Sequence, residues 1–154
     1  MLTYYPSCPE DTSILARSFA QTLKPGSVLC FFGDLGAGKT TFIKALAQGL
    51  GVAPELVISP TFQYLNIYQG QCGNTDCPIF HFDLYRLRGH EEFVLSGFHD
   101  FLSKNGIVCI EWAEKIEEIL PENVIYIRIS HLHNAPDEIK NKIDTRKVEI
   151  TLSP

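Results

Sequence analysis

The segment SVLCFFGDLGAGKTTF, residues 27–42, constrains the fold more than any other part of the chain. Its apolar run SVLCFF has strand length and no polar face, as expected of a strand covered on both sides. The run leads into Gly33, four further residues, and then Gly38-Lys39-Thr40, a full match to G-x-x-x-x-G-K-[ST]. Glycines let successive backbone N–H groups turn inward around phosphates without side-chain clash. The helix that follows adds the partial positive charge of its N-terminus. A lysine so placed reaches β- and γ-phosphates, and the hydroxyl after it coordinates Mg²⁺. The chain is therefore expected to bind a nucleotide, with Lys39 on the phosphates and Thr40 on the metal.

The rest of the chain alternates strand and helix patterns. PEDTSILARSFAQTL carries capping candidates and then Leu15, Phe19 and Leu23 four apart, a short amphipathic helix stopped by Pro25 and Gly26. KTTFIKALAQGL predicts a helix with Phe42, Ile43, Leu46 and Leu50 on its inner side. TFQYLNIYQG and PIFHFDLYRL flank the turn-rich QGQCGNTDCP and suggest a hairpin. EEFVLSGFHDFLS predicts a helix interrupted or ended near Gly97. GIVCIEW is a second buried strand, AEKIEEIL a short helix, and NVIYIRI and KVEITL two late strands. This order predicts an α/β fold: one three-layer domain over residues 1–154, a mostly parallel sheet with a β-hairpin, and helices on both faces.

Composition narrows the function classes. At 154 residues one domain is expected. No run approaches the roughly 18–20 apolar residues that cross a bilayer, and MLTYYPSCPEDTS lacks the pattern of a signal peptide. A cytoplasmic protein with no membrane association is expected. A net charge of −5 argues against broad binding to a nucleic-acid backbone. Five cysteines, an odd number with two in apolar runs, suggest reduced thiols. Cys72 and Cys77, with His81 nearby, do not have the usual spacing of a zinc pair and are read as part of a polar loop.

Hydrolysis needs a carboxylate on the metal side and a group that orients water. Glu111 ends the apolar run IVCI, and ligands of open α/β sheets collect at such strand ends. Its other reading is a helix cap before AEKIEEIL. Asp83, between Phe82 and Leu84, is the second acidic candidate, unless it merely pairs with Arg86. His81 is read as structural, hydrogen-bonded within the hairpin. Thr61, in SPTF, lies where phosphate-loop enzymes often keep a γ-phosphate sensor, although Ser-Pro-Thr is also a common loop starter. The NKID at residues 141–144 matches the guanine-reading N-K-x-D of GTPases, but it follows the polar APDEIK instead of a buried strand. It is read as surface loop.

Taken together, GDLGAGKTT, SPTF, HFDLYRL and IEW, in this order and spacing, resemble the TsaE (YjeE) family of bacterial P-loop ATPases over nearly the whole chain. The resemblance implies ATP and Mg²⁺ as cofactors and slow ATP hydrolysis that supports formation of N6-threonylcarbamoyladenosine at position 37 of tRNAs reading ANN codons. The implied partners are TsaB and TsaD, with tRNA reached indirectly through them. By position, Gly36, Ala37, Gly38, Lys39, Thr40 and Thr41 would hold the phosphates, and Thr40 with Glu111 the metal. Asp83 would stand near the attacking water, and Trp112 would support the site. Thr12 and Arg146 would lie toward the adenine. Ala113 and Lys44 depart from the residues common in the family. The alternative reading is a small-molecule kinase, for which Arg86, Arg88 and Arg128 are too scattered to promise a lid.

Overall fold

Seven strands hydrogen-bond into one sheet in a computed structural model that describes residues 1–132 and 145–152. They are β1 (Leu2–Tyr4), β2 (Val28–Phe32), β3 (Leu65–Cys72), β4 (Thr75–Asp83), β5 (Ile107–Glu111), β6 (Val124–His131) and β7 (Arg146–Leu152), and their order across the sheet is β1-β7-β6-β2-β5-β4-β3. The four central strands, β6, β2, β5 and β4, run parallel, which is where apolar runs without a polar face belong. Antiparallel partners close both sides, β3 on β4 at one edge and β7 with β1 at the other. The domain is thus α/β with a parallel centre.

Alternation along the central strands sorts the core into two layers. Leu29 and Phe31 of β2, with Ile107 and Cys109 of β5, face helices α1 (Pro9–Ala20) and α2 (Lys39–Gly49). Val28, Cys30, Val108 and Ile110 face the opposite layer. That layer is built from α3 (His90–Leu95) and the 3₁₀ segments Phe98–Ser103, Ala113–Lys115 and Glu117–Ile119. In it Phe80, Phe82, Phe93, Phe98 and Phe101 make a chain of tilted and edge-to-face ring contacts, with centroids 5.1–5.9 Å apart.

Several expectations are met closely. Phe42, Ile43, Leu46 and Leu50 are buried on one side of α2, and Gly97 takes a left-handed φ of 76° between α3 and the next 3₁₀ segment. Other elements differ. β1 is an unexpected strand, three exposed residues with no periodic pattern to reveal them. The turn-rich QGQCGNTDCP is mostly strand, because β3 and β4 stay in register to Cys72 opposite Thr75 and turn only at Gly73 and Asn74. AEKIEEIL forms two 3₁₀ turns in place of an α-helix. The NKID segment at 141–144 lies outside the described residues. All five cysteines are free thiols, and burial pushes those of Cys30 and Cys77 up to about 12.

The α1–α2 layer hangs on Phe42. It is fully buried and packs against Phe31 of β2 at 5.7 Å and Phe19 of α1 at 6.5 Å between ring centroids. Phe42→Ala is expected to cost about 3–5 kcal/mol through lost transfer energy and the cavity left behind. Denaturant unfolding measures this as a lower midpoint with an unchanged slope.

Candidate functional site

The alternation that builds the core also decides where the polar residues point. On β5, Ile107 and Cys109 face the α1–α2 layer, so Glu111 at the strand end faces the same way, toward the start of α2. On β4, Cys77 and Ile79 set the same phase, which brings His81 and Asp83 to that side. β4 and β5 are parallel neighbours with Asp83 opposite Glu111, so two carboxylates end side by side at the C-terminal edge of the sheet. The glycine-rich loop leaves β2, the next strand over, at the same edge.

The loop needs its glycines for two different reasons. Gly33 has a φ of 142°, and a Cβ there would collide with the carbonyl of Ile129 on β6. Gly38, at the N-cap of α2, has a φ of 111° with open space where a Cβ would stand, so its constraint is backbone conformation. Lys39 is buried and folds back over the loop. Its Nζ donates to the carbonyls of Gly33 and Asp34, the latter at 3.0 Å, and lies 4.2 Å from the centre of the Trp112 ring. Burial lowers its pKa from the ordinary lysine value, against the opposing pull of Glu111, Glu114, Asp83 and Asp34. Trp112 follows Glu111 in a left-handed conformation, φ 60° and ψ 42°, uncommon for a bulky residue. That turn points the indole at the lysine and sets it against Tyr85, with centroids 5.0 Å apart.

Thr40 Oγ1 lies 2.9 and 3.0 Å from the two carboxylate oxygens of Glu111. Glu111 is only 3% exposed, and its second partner is His81, whose Nε2 donates to Oε1 at 2.8 Å. His81 is thus bonded beyond its hairpin as well as within it, where Tyr68 hydroxyl lies 3.1 Å from Nδ1. This arrangement occupies His81, and no cluster of three or more His, Cys, Asp or Glu suited to a metal occurs among the described residues. Asp83 is held by hydroxyls and not by Arg86. Ser59 and Thr61 each donate to Oδ2 at 3.0 Å, and the Tyr85 backbone N–H donates to Oδ1 at 3.0 Å. Arg86 instead lies over the Phe62 ring.

A cavity of about 330 Å³ opens between these groups, within the size range of small-ligand sites. Gly36, Gly38, Lys39, Thr40 and Thr41 line one wall, and Thr61, Asp83, Glu111 and Trp112 the other. The remaining sequence candidates stand apart. Gly33, at the start of the loop, packs against the Ile129 carbonyl of β6, and Ala37 is buried in the α1–α2 layer. Arg146 Nε donates to the Ala37 carbonyl at 3.3 Å, which places it against the outside of the loop. Thr12 is buried in α1, and its hydroxyl turns to the Cys8 carbonyl. Ser59, Tyr85 and Arg86 line the cavity in addition to the sequence candidates. Ser59 is discoverable, since it shares the Ser-Pro-Thr turn with Thr61, whereas only the fold directs Tyr85 and Arg86 inward. A hydroxyl and a carboxylate beside a glycine-rich loop are hard oxygen donors, few in number, which suits Mg²⁺ completed by ligand oxygens.

Comparison with known proteins agrees with this architecture. The family model described as "Threonylcarbamoyl adenosine biosynthesis protein TsaE" matches residues 7–142. A protein of Bacillus subtilis (strain 168) named tRNA threonylcarbamoyladenosine biosynthesis protein TsaE is 39% identical over 131 residues, 85% of this chain and 78% of its own. One of the same name from Aquifex aeolicus (strain VF5) is 41% identical over 129 residues, 78% of this chain and 89% of its own. The crystal structure of Bacillus subtilis YdiB superposes with a TM-score of 0.71 at 33% identity, covering 99% of this chain and 86% of that one.

Removing the Thr40 hydroxyl leaves the buried Glu111 carboxylate with one fewer donor. Thr40→Val, which preserves shape, is expected to cost about 1–3 kcal/mol of stability, read from denaturant unfolding of the ligand-free protein.

Proposed function

The chain belongs to the TsaE family, and from that premise we propose that it is a Mg²⁺-dependent ATPase serving the formation of N6-threonylcarbamoyladenosine in tRNA. It would act on a TsaB–TsaD pair that holds the RNA. The observation that carries this reading is the contact between Thr40 and Glu111, which joins the phosphate loop to the end of β5 across the cavity. A hydroxyl after the loop lysine and a carboxylate at a neighbouring strand end are the two protein groups with which phosphate-loop enzymes hold their metal. When bound, Mg²⁺ would neutralise charge on the phosphate oxygens.

The chain's own residues divide the remaining work. Gly36 and Gly38 give the loop a backbone whose N–H groups can face phosphate oxygens, and Lys39 supplies the mobile positive charge. Its resting partners, two backbone carbonyls and an indole face, are weaker claims on an ammonium than phosphate is. Asp83, steadied by Ser59, Thr61 and the Tyr85 N–H, would orient the water. Thr61 and Ser59 put hydroxyls at the same wall, within reach of a terminal phosphate. Arg146 and Thr12, outside the cavity lining, would serve the base side. The net charge of −5 suits a protein that reaches RNA through partners and does not grip its backbone. Cytoplasmic location follows from the same role, and no helix among the described residues is long and apolar enough to cross a membrane.

The kinase alternative has less support. Arg88 pairs with Glu92 and Arg128 lies over Phe32, so among the three candidate arginines only Arg86 lines the cavity.

ATP and GTP hydrolysis, measured for the protein alone and with TsaB and TsaD, tests the reading. ATP-selective turnover is expected, slow alone and faster with the partners. Lys39→Ala is expected to abolish nucleotide binding or turnover. Asp83→Ala should lower kcat by roughly 10²–10⁴-fold, the usual worth of a positioned acid–base group, while much of the ATP affinity survives. Normal hydrolysis by Asp83→Ala in the presence of the partners would remove that residue from the mechanism.

A further inference from the structure

Glu111 is the buried end of a hydrogen-bonded line that the proposed chemistry does not use. His81, with no exposed surface, donates from Nε2 to Glu111 Oε1 at 2.8 Å. Because a carboxylate oxygen only accepts, the proton on this side of the ring belongs to Nε2. On the other side, Nδ1 lies 3.1 Å from the Tyr68 hydroxyl, which in turn lies 2.9 Å from the carbonyl of Ile58. Asn66 Nδ2 donates to that same carbonyl at 3.2 Å. The line therefore runs from Glu111 across β4 and β3 into the segment before Ser59, and Ser59 and Thr61 return to the site through Asp83. Both carboxylates of the cavity are thus attached to one loop by independent routes.

The two oxygens of Glu111 are also unequal. Oε1 takes the His81 bond and shares the Thr40 hydroxyl with Oε2, which has that shared donor alone. A histidine nitrogen fixed from behind by a tyrosine hydroxyl cannot swing with the carboxylate, so it pins Oε1, while Oε2 is held by Thr40 alone.

We infer that His81 is a positioning residue for Glu111. Its Nε2–H holds Oε1 and so presents Oε2 to the cation, and the Tyr68–Ile58 contact ties that orientation to the loop carrying Ser59 and Thr61. This rests on the reading of Thr40 and Glu111 as the metal pair. Groups that orient a ligand from behind are typically worth 10–100-fold in metal affinity.

The test is Mn²⁺ affinity of the ADP-saturated protein, followed by the electron paramagnetic resonance of free Mn²⁺. His81→Leu is expected to weaken Mn²⁺ binding by about 10–100-fold, with metal-free ADP affinity unchanged. His81→Gln, whose amide can donate from the position of Nε2, should recover most of the loss, which a packing role alone would not allow. Wild-type Mn²⁺ affinity in a folded His81→Leu protein, alongside a large loss in Glu111→Gln, would overturn the positioning role and leave the metal pair standing. No loss in Glu111→Gln would overturn the metal pair and the inference with it. Should His81→Leu fail to fold, nitrogen-15 spectra of the wild-type imidazoles decide. A proton on His81 Nε2, protected from exchange, is expected, and an unprotonated Nε2 overturns the proposal.

Discussion

A carboxylate that is almost wholly withdrawn from water has to be surrounded by donors, and Glu111 imposes that requirement on three separate pieces of chain. The hydroxyl of Thr40 comes from the helix after the glycine-rich loop, the imidazole of His81 from the neighbouring strand, and the ring behind it from the edge strand of the hairpin. Lys39 adds a positive charge nearby without contacting it directly, because its ammonium is taken by loop carbonyls and the Trp112 face. The lysine, whose pKa burial lowers, and the carboxylate, held by Thr40 and His81, are kept out of direct contact.

Strand phase lets few residues specify this arrangement. The two-residue period that buries Ile107 and Cys109 fixes the direction of Glu111, and the period that buries Cys77 and Ile79 fixes His81 and Asp83. Core packing and site geometry are therefore one specification, since slipping either strand by a single residue would turn the carboxylates into the opposite layer. The strained turn at Trp112 falls at the point where the strand ends and phase no longer controls direction.

Much of this is legible in the amino-acid order alone. The apolar run into GDLGAGKTT signals strand, loop and helix together, Glu111 stands out as an acidic residue at the end of an apolar run, and Asp83 as one flanked by Phe82 and Leu84. What stays hidden depends on distance through space. His81 looks like a hairpin residue because its bond to Glu111 spans 30 positions. Tyr85 acquires its place only once Asp83 gathers it, and Arg146 meets the loop across 109 positions. β1 and the hairpin end escape notice because short edge strands rely on backbone pairing more than on apolar pattern.

The position of β2 between β5 and β6 governs the order in which the molecule can be made. As the chain leaves the ribosome, β2 and its loop emerge long before either partner, whose first residues are Ile107 and Val124. The β3–β4 hairpin can close on itself in the interval, but the strand bearing the loop can only wait, apolar on both faces. Non-local pairing of this kind slows folding and lengthens the exposure of such a segment. The loop therefore acquires its working shape last, when nearly the whole chain is present to hold it.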